Sequence, residues 1–369
     1  MRVALMGRSL RGRYSGVVRY TEELVRALAA QIGPDLTVFL TRADDGLDGI
    51  SARRVRAPLP TPNEYLRAFW EQTLVPFEIA RLRPDVYHSP NYILPLAIGC
   101  PTVVTVHDLG FFEPAVHRLR SRLYLRALTG MAIERARRVI CVSNYTRQCL
   151  VRRFPGTEDR IRVVGEGVGS RFRPQPPEAV AAFRARHHID RPYALFVGTI
   201  EPRKNLPRLI KAFGKAVVEG GIDHDLVIAG GRGWMGEGTE SAYALSRCQD
   251  RIRFIGYVPD DELPAAYSGA DLFVYPSLFE GYGLPPVEAM ACATAVLTSR
   301  TGALPEVVGG AATLIDPTDE AAITGALLRL LTSESERRRL EHLGLERAAS
   351  FRWDRVAEQT MAVYREAAA

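Results

Sequence analysis

The stretch Ser277–Ala293 reads SLFEGYGLPPVEAMACA, and it decides the fold that we predict for this chain. It follows a short apolar segment, Asp271–Tyr275, that is typical of a buried strand. Gly281 and Gly283 predict a loop, and the Pro-Pro pair after them marks the start of an apolar helix, because proline is tolerated in the first helical turn. A strand, a glycine loop and a helix N-terminus in this order present backbone N–H groups to an anion.

Two carboxylates frame this segment. Glu280 lies in the predicted loop and Glu288 in the predicted first turn of the helix, with seven residues between them. Each alone also fits a simpler role, as a solvated loop charge or as a partner of the helix dipole. Their combination resembles the E-x7-E element of retaining glycosyltransferases of family GT4, which have the GT-B fold.

The rest of the chain indicates two α/β domains. At 369 residues the chain is long enough for two separate cores. Apolar strands alternate with helices in both halves, which indicates parallel sheets covered on both faces. A proline-rich, charged segment at Arg173–Pro192 predicts the linker.

We therefore predict an α/β protein of the GT-B type, with two Rossmann-like parallel-sheet domains that face each other across a cleft. The resemblance assigns acceptor binding to residues 1–172, with a C-terminal helix at 353–369 that crosses back onto this domain. It assigns binding of the nucleotide-sugar donor to residues 173–352.

The composition excludes several classes of protein. No apolar run is long enough to span a bilayer, and the N-terminus lacks the apolar core of a signal peptide, so we expect a cytoplasmic protein. The five cysteines have no C-x-x-C spacing and the seven histidines have no metal-ligand spacing. Neither a disulfide framework nor a zinc site is therefore expected.

Charge is distributed unevenly along the chain. Residues 1–180 hold 27 Lys+Arg and 17 Asp+Glu, a net charge of +10, whereas residues 181–369 hold 21 and 25, a net charge of −4. A basic first half suits a phosphate-bearing substrate, a nucleic acid or an acidic membrane face. Its arginine-rich predicted helix, His117–Arg138, fits either a solvated face or a peripheral contact with an anionic membrane. We expect no nucleic-acid partner.

Two candidate site residues lie in the first domain. Gly16 follows the first predicted strand, where it fits either a simple turn or the close approach of a ligand to the backbone. His107 lies near the carboxyl end of the strongly β-branched segment Pro101–Leu109. Open parallel sheets bind ligands at the carboxyl ends of their strands. In the family that the chain resembles, a glycine-rich loop faces donor and acceptor, and the histidine contacts the donor sugar near the reacting carbon.

Arg203 and Lys204 follow the first predicted strand of the second domain, in the segment GTIEPRKN. Two adjacent cations stabilise the charge that develops on a leaving diphosphate, although exposed cations are also common in loops. This segment resembles the diphosphate-binding loop of the family. Many relatives have an arginine where this chain has Thr199, so Arg203 would have to supply that contact.

The resemblance also gives roles to the segment quoted first. Glu288 would accept hydrogen bonds from two ribose hydroxyls, since both carboxylate oxygens are acceptors. Glu280 would hold a hydroxyl of the donor sugar, and backbone N–H groups of Tyr282, Gly283 and Leu284 would reach the sugar and the phosphate. The reaction would retain the anomeric configuration, with a leaving phosphate oxygen that helps to deprotonate the acceptor.

No metal and no cofactor are predicted. The D-x-D motif that holds a divalent ion in the other large glycosyltransferase fold has one match here, at Asp223–Asp225. This match precedes a predicted strand and so lies at the amino edge of the sheet, away from the predicted site.

The donor is less strongly encoded than the reaction. The segments HSPNY (88–92) and HDLGFFEP (107–114) resemble the branch with mannosyltransferases of bacterial O-antigen and exopolysaccharide assembly. This branch implies GDP-mannose as donor and a saccharide or lipid-linked saccharide as acceptor. The alternatives are a UDP-sugar-dependent transferase of the same family, a phosphorylase or epimerase with the same fold, and a two-domain binding protein.

Overall fold

The computed structural model describes residues 1–7, 16–41, 46–47, 49–57, 64–112, 119–231, 233 and 237–369, of which 64–68, 111, 119–125 and 237 by their backbone alone. These residues form two compact units. The first comprises Met1–Gly167 with Arg352–Ala369, and the second comprises Val168–Phe351. The sequence predicts that the first domain ends at residue 172, five residues later than the observed Gly167. It predicts that the chain returns to this domain at residue 353, one residue later than the observed Arg352. Phe172 already belongs to the core of the second unit.

The first unit is a parallel sheet covered by helices. Its strands are β1 (Val3–Met6), β2 (Leu36–Leu40), β3 (Arg53–Arg56), β4 (Val86–Ser89), β5 (Thr102–Val106), β6 (Arg138–Cys141) and β7 (Ile161–Val163). Its helices are α1 (Gly16–Ile32), α2 (Glu64–Leu82), α3 (Leu119–Arg135), α4 (Asn144–Arg153) and, from the C-terminus, α13 (Trp353–Ala368). The sheet order is β3-β2-β1-β4-β5-β6-β7.

The second unit repeats this plan. Its strands are β8 (Tyr193–Val197), β9 (Asp225–Ala229), β10 (Ile252–Gly256), β11 (Leu272–Tyr275), β12 (Val296–Ser299) and β13 (Thr313–Ile315), in the order β10-β9-β8-β11-β12-β13. Its helices are α5 (Pro177–Arg186), α6 (Leu206–Gly220), α7 (Glu237–Ala244), α8 (Leu263–Ser268), α9 (Leu284–Ala291), α10 (Leu304–Val308), α11 (Glu320–Thr332) and α12 (Glu334–Ala348).

Both sheets are entirely parallel in their described strands, as the sequence predicts. The order reverses between β1 and β4 in the first sheet and between β8 and β11 in the second. In doubly wound sheets ligands bind outside the carboxyl ends of the strands at such a reversal. The loops after β8 and β11 are therefore the first place to look for a site in the second unit.

Helix α13 belongs to the first unit, although it follows the second in sequence. Its inner face is buried through Val356, Ala357, Thr360 and Tyr364, which recur with helical spacing. The hydroxyl of Tyr364 lies 2.6 Å from Nδ1 of the fully buried His88. A buried polar pair of this kind fixes the helix on the sheet, because either group without its partner would be costly.

The structure corrects the predicted long helix His117–Arg138. Residues 113–118 lie outside the described part of the chain, and α3 runs from Leu119 through Gly130 to Arg135 without a break. Arg138 is the first residue of β6. None of the helices in the described residues is long and apolar enough to cross a membrane.

Candidate functional site

Arg203, Lys204 and Glu280 meet where the second sheet reverses its order. Strands β8 and β11 are neighbours. The loop after β8 forms a short 3-10 turn, Pro202–Lys204, that carries both cations, and the loop after β11 carries Glu280. The two loops are joined by a backbone hydrogen bond of 2.8 Å from Leu278 N to the Arg203 carbonyl.

Glu280 forms ion pairs with both cations. Its Oε1 lies 2.6 Å from Lys204 Nζ, and its Oε2 lies 2.7 Å from Arg203 Nη1. Lys204 also donates a hydrogen bond to the hydroxyl of Tyr275, and Arg203 pairs with Glu201. Glu280 and Lys204 are 7% and 6% exposed, so this is a buried charge cluster rather than a set of solvated loop charges. The sequence did not indicate the roles of Tyr275 and Glu201.

The cluster determines the charge of its members. Burial alone would raise the pKa of Glu280, but Arg203 and Lys204 outweigh it and lower this pKa to about 2. The pKa of Lys204 is lowered, chiefly by burial and by Arg203, while Glu280 acts in the opposite direction. Glu280 is therefore ionised at neutral pH. It is paired with the same two cations, Arg203 and Lys204, that a diphosphate would bind.

The pKa of Glu280 predicts a pH-dependent stability. A carboxyl with a lowered pKa in the folded state contributes stability above its unfolded pKa of 4.5, and this contribution is lost as the pH falls towards 2. We expect the midpoint of thermal unfolding of Glu280→Gln to lie below that of the wild type at pH 6. The two midpoints should converge near pH 2.

The matched control for this measurement is Glu320→Gln. Glu320 forms a surface ion pair of 2.7 Å with Lys215, whose side chain is 51% exposed. Such pairs contribute about 0–1 kcal/mol. Glu320→Gln should follow the wild type across the whole pH range, and a constant difference between Glu280→Gln and the wild type from pH 6 to pH 2 would contradict the prediction.

Asn205 holds the cation loop in place. It adopts a left-handed backbone conformation (φ 61°), and its side-chain amide donates hydrogen bonds to the carbonyls of Pro276, at 3.1 Å, and Pro317, at 2.7 Å. These carbonyls follow β11 and β13. One buried side chain therefore ties the loop after β8 to two neighbouring loops, which is a role that the sequence did not reveal.

Gly302 permits the close packing of the Glu280 loop. A Cβ at Gly302 would lie 2.6 Å from the carbonyl oxygen of Glu280, and its φ of +65° is unfavourable for other residues. The neighbouring Ala303 N–H donates to the same carbonyl at 3.0 Å. Position 302 therefore requires glycine, because a side chain there would collide with the backbone of Glu280.

The position of Glu288 differs from the prediction. Helix α9 begins at Leu284, after Gly283 (φ 105°), so Glu288 lies in its second turn rather than its first. The two prolines occupy positions N2 and N3 of this helix. The N–H groups of the first helical turn have no acceptor within the helix, so prolines there cost no hydrogen bond. Glu288 is only 1% exposed and accepts a hydrogen bond of 3.0 Å from the Tyr267 hydroxyl. A ribose contact for Glu288 stays a prediction.

The segment Tyr282–Leu284 is buried at the start of α9. Tyr282 and Leu284 are 8% and 5% exposed, and the Tyr282 ring packs edge-on against Phe351 at 6.4 Å. Prolines follow at the next two positions and have no N–H group. The contact of the Tyr282, Gly283 and Leu284 N–H groups with a donor stays a prediction.

In the first unit, Gly16 is the first residue of α1. No described atom would lie within 4 Å of a Cβ at this position, and its φ is not in the left-handed region. Neither turn geometry nor packing in the described residues demands glycine here, and the close approach of a ligand stays a prediction. The preceding residues 8–15 lie outside the described part of the chain.

His107 follows β5 at the carboxyl edge of the first sheet, and it is 7% exposed. Both of its ring nitrogens have protein partners. Nδ1 lies 3.1 Å from Glu166 Oε1, and Nε2 lies 3.0 Å from the Pro90 carbonyl oxygen. The predicted contact with a donor sugar would therefore require His107 to exchange one of these partners. Glu166, in the segment GEGVG after β7, was not singled out from the sequence.

The D-x-D match has another role. Asp225 is fully buried at the start of β9, and its carboxylate oxygens lie 3.1 Å from Arg251 Nε and 2.6 Å from Arg253 Nε. Asp223 pairs with Arg251 as well. These aspartates anchor arginines at the amino edge of the second sheet, opposite to the edge with Glu280. The described residues contain no group of three or more His, Cys, Asp or Glu side chains placed to hold a metal.

Comparison with known proteins identifies the family. The model of "Glycosyltransferase Family 4" matches residues 14–172, and that of "Glycosyl transferases group 1" matches residues 181–346. O-antigen chain mannosyltransferase B of Escherichia coli is 31% identical, over 95% of this chain and 96% of that protein. The chain belongs to glycosyltransferase family 4. It is a glycosyltransferase, as its motifs predict.

Two further proteins align with this family 4 member over nearly its whole length. The MMP alpha-(1->4)-mannosyltransferase of Mycolicibacterium hassiacum is 30% identical, over 100% of this chain and 99% of that protein. Among solved structures, a sucrose-phosphate synthase from Thermosynechococcus elongatus superimposes with a TM-score of 0.79 at 23% identity, covering 99% and 98% of the two chains. The predicted GT-B fold class is confirmed.

Proposed function

We propose that this glycosyltransferase is a retaining, metal-independent mannosyltransferase. It transfers mannose from GDP-mannose to a saccharide or a lipid-linked saccharide. The observation that carries the proposal is the cluster of Arg203 with the buried Lys204 and Glu280 at the reversal of the second sheet. The two full-length relatives named above are both mannosyltransferases, which favours mannose as the transferred sugar.

The cluster is suited to the departure of a diphosphate. Arg203 and Lys204 lie on one short turn, and their charges would neutralise the two phosphates as the bond to the sugar breaks. Fixed cations in a buried site stabilise charge more strongly than solvated ones, because the surroundings screen them less. The backbone N–H groups of Gly283 and Leu284 would add donors to the same anion.

Glu280 would change partners when the donor binds. Without donor it neutralises both cations, at 2.6 and 2.7 Å. A diphosphate that approaches them competes with this carboxylate, which is then free to accept a hydrogen bond from a sugar hydroxyl. Binding of the donor thus couples recognition of the phosphate to recognition of the sugar.

The same charges support the proposal of metal independence. The two cations would supply the positive charge that a divalent ion provides elsewhere, and Glu280 is already paired with them. The aspartates of the D-x-D match are held by Arg251 and Arg253. We propose that neither set binds a metal during turnover, and that a leaving phosphate oxygen assists removal of the acceptor proton.

A transfer assay tests this proposal. The enzyme is incubated with GDP-mannose and a panel of mannose-containing acceptors, with and without EDTA, and the anomeric configuration of the product is read by NMR. We expect transfer with retention, at the same rate in EDTA. Transfer from UDP-sugars alone would overturn the mannose assignment. Inversion, loss of activity in EDTA, or turnover of donor by phosphorolysis or epimerisation would overturn the mechanism.

We further propose a peripheral contact between the first unit and an anionic membrane. Helix α2 exposes Phe69 and Phe77 at 63% and 68%, together with Leu74 at 40%. Arg81, which pairs with Glu78 at 2.8 Å, and Arg135 are exposed on α2 and α3. Exposed apolar side chains together with arginines on one unit suit an anionic bilayer. The enzyme should sediment with anionic liposomes at low salt, and Phe69→Ser with Phe77→Ser should abolish this. Failure of the wild type to sediment would refute the contact.

A further inference from the structure

The pair formed by His107 and Glu166 is built into the carboxyl edge of the first sheet. His107 follows β5 and Glu166 follows β7, with β6 between them in the sheet. Both side chains are buried, at 7% and 5% exposure, and Nδ1 lies 3.1 Å from Oε1. Burial of a carboxylate is costly unless it is paired and hydrogen-bonded. The contact therefore offsets the cost of burying Glu166 as well as that of burying His107.

Counting hydrogen-bond donors restricts the state of the ring. The Pro90 carbonyl can only accept, so the hydrogen bond of 3.0 Å at Nε2 requires a proton on Nε2. Where the carboxylate of Glu166 accepts the hydrogen bond of 3.1 Å, Nδ1 donates as well. In this arrangement both ring nitrogens of His107 donate, and neither has a lone pair for use as a base.

The rings of Tyr20 and Tyr92 pack against His107, and the side chains of Tyr20 and His88 carry no charge that competes with Glu166. The Tyr20 ring packs edge-on against His107 at 4.7 Å, and Tyr92 lies at 6.5 Å. Burial raises the pKa of Tyr20, which keeps it neutral, and burial lowers the pKa of His88 to about 3, which keeps it neutral as well. Asp108 accepts a hydrogen bond of 2.8 Å from Gly110 N. Glu166 is thus the carboxylate that contacts the imidazole directly.

We propose that Glu166 is a positioning residue that holds His107 as a hydrogen-bond donor at both ring nitrogens. On donor binding, Nε2 exchanges the Pro90 carbonyl for a hydroxyl of the sugar, while Nδ1 stays on Glu166. His107 therefore orients the sugar and removes no proton. The sugar contact rests on the function proposed above, whereas the state of the ring in the free protein does not.

The first part of the test concerns the free enzyme. Nitrogen-15 NMR of labelled histidine at pH 7 should show two protonated nitrogens for His107 in the wild type and one unprotonated nitrogen in Glu166→Gln. The control is Glu262→Gln, which removes a carboxylate that lies 3.4 Å from His187 in the second unit. A neutral His107 in the wild type, or no change in Glu166→Gln, would overturn the proposal whether or not the enzyme transfers mannose.

The second part separates the sugar from the nucleotide. Glu166→Gln should lower kcat/KM for GDP-mannose roughly 10- to 100-fold, as for loss of a hydrogen bond with a charged donor, and should leave the Kd of GDP unchanged. Glu166→Asp should recover part of the loss. An equal loss of affinity for GDP and for GDP-mannose would indicate a structural role and overturn the proposal. If the wild type transfers no sugar, the proposed function fails, and the NMR result still decides the state of His107.

Discussion

Replacing Lys204 with methionine is expected to reduce kcat for sugar transfer by about 10²- to 10³-fold, the range typical for removal of one group that stabilises developing negative charge. Methionine keeps most of the side-chain volume, so the buried position remains filled. Lys204 is 6% exposed and lies between Glu280 and Tyr275, where no solvated cation can replace it. The affinity for the nucleoside diphosphate should fall with kcat, and both are measured by steady-state kinetics and calorimetry.

The control for this variant is Lys215→Met. Lys215 lies on α6 of the same unit and pairs with Glu320 at 2.7 Å, almost the distance of 2.6 Å between Lys204 and Glu280. It differs in being exposed and remote from the loop after β8. We expect a change in kcat of less than about twofold, as for most surface positions. If Lys204→Met, folded as judged by circular dichroism, turned over at the rate of Lys215→Met, the role of Lys204 would be disproved.

Glu280→Gln is expected to have two opposite effects. The variant loses the carboxylate that would hold the donor sugar, so kcat should fall by about 10- to 100-fold, as for loss of a hydrogen bond to a charged group. The same change removes a negative charge that lies 2.6 Å and 2.7 Å from the two cations. Because this charge competes with a diphosphate, GDP should bind to the variant at least as tightly as to the wild type.

This combination distinguishes a partner exchange from simple damage to the fold. A damaged site would lose affinity for GDP together with activity, whereas the exchange predicts that the two separate. Calorimetric titration with GDP in EDTA measures the affinity, and Glu320→Gln serves as the surface control for both quantities. A Kd for GDP that rises tenfold or more in Glu280→Gln would contradict the exchange.

Much of the fold could be predicted from local patterns. Apolar runs such as Asp225–Gly231 and Asp271–Tyr275 identify strands that are buried on both faces, and alternation with helices identifies parallel sheets. Strand β3 was missed because its sequence is RRVR. It is an edge strand, where charged side chains protect the open edge, so it carries no apolar signal.

The candidate site was predictable as a location but not as a set of contacts. The sequence places Lys204 and Glu280 after strands, and parallel topology then brings both to one edge. Their direct ion pair joins residues 76 positions apart, and no local pattern encodes it. The same holds for Glu166 with His107, which are 59 positions apart, and for Asn205 with Pro317. Glu288 lies just beyond the predicted first turn, because α9 begins at Leu284 rather than at the Pro-Pro pair.

The central claim is that the cluster of Arg203, Lys204 and Glu280 binds a nucleoside diphosphate without a metal. The most direct test is the midpoint of thermal unfolding with GDP, GDP-mannose, UDP and UDP-glucose, in EDTA, for the wild type and for Lys204→Met. A ligand that binds only the folded state raises the midpoint. We predict a rise with GDP and GDP-mannose that EDTA does not affect and that Lys204→Met abolishes. No rise with any nucleotide, or a rise that persists unchanged in Lys204→Met, would contradict the claim.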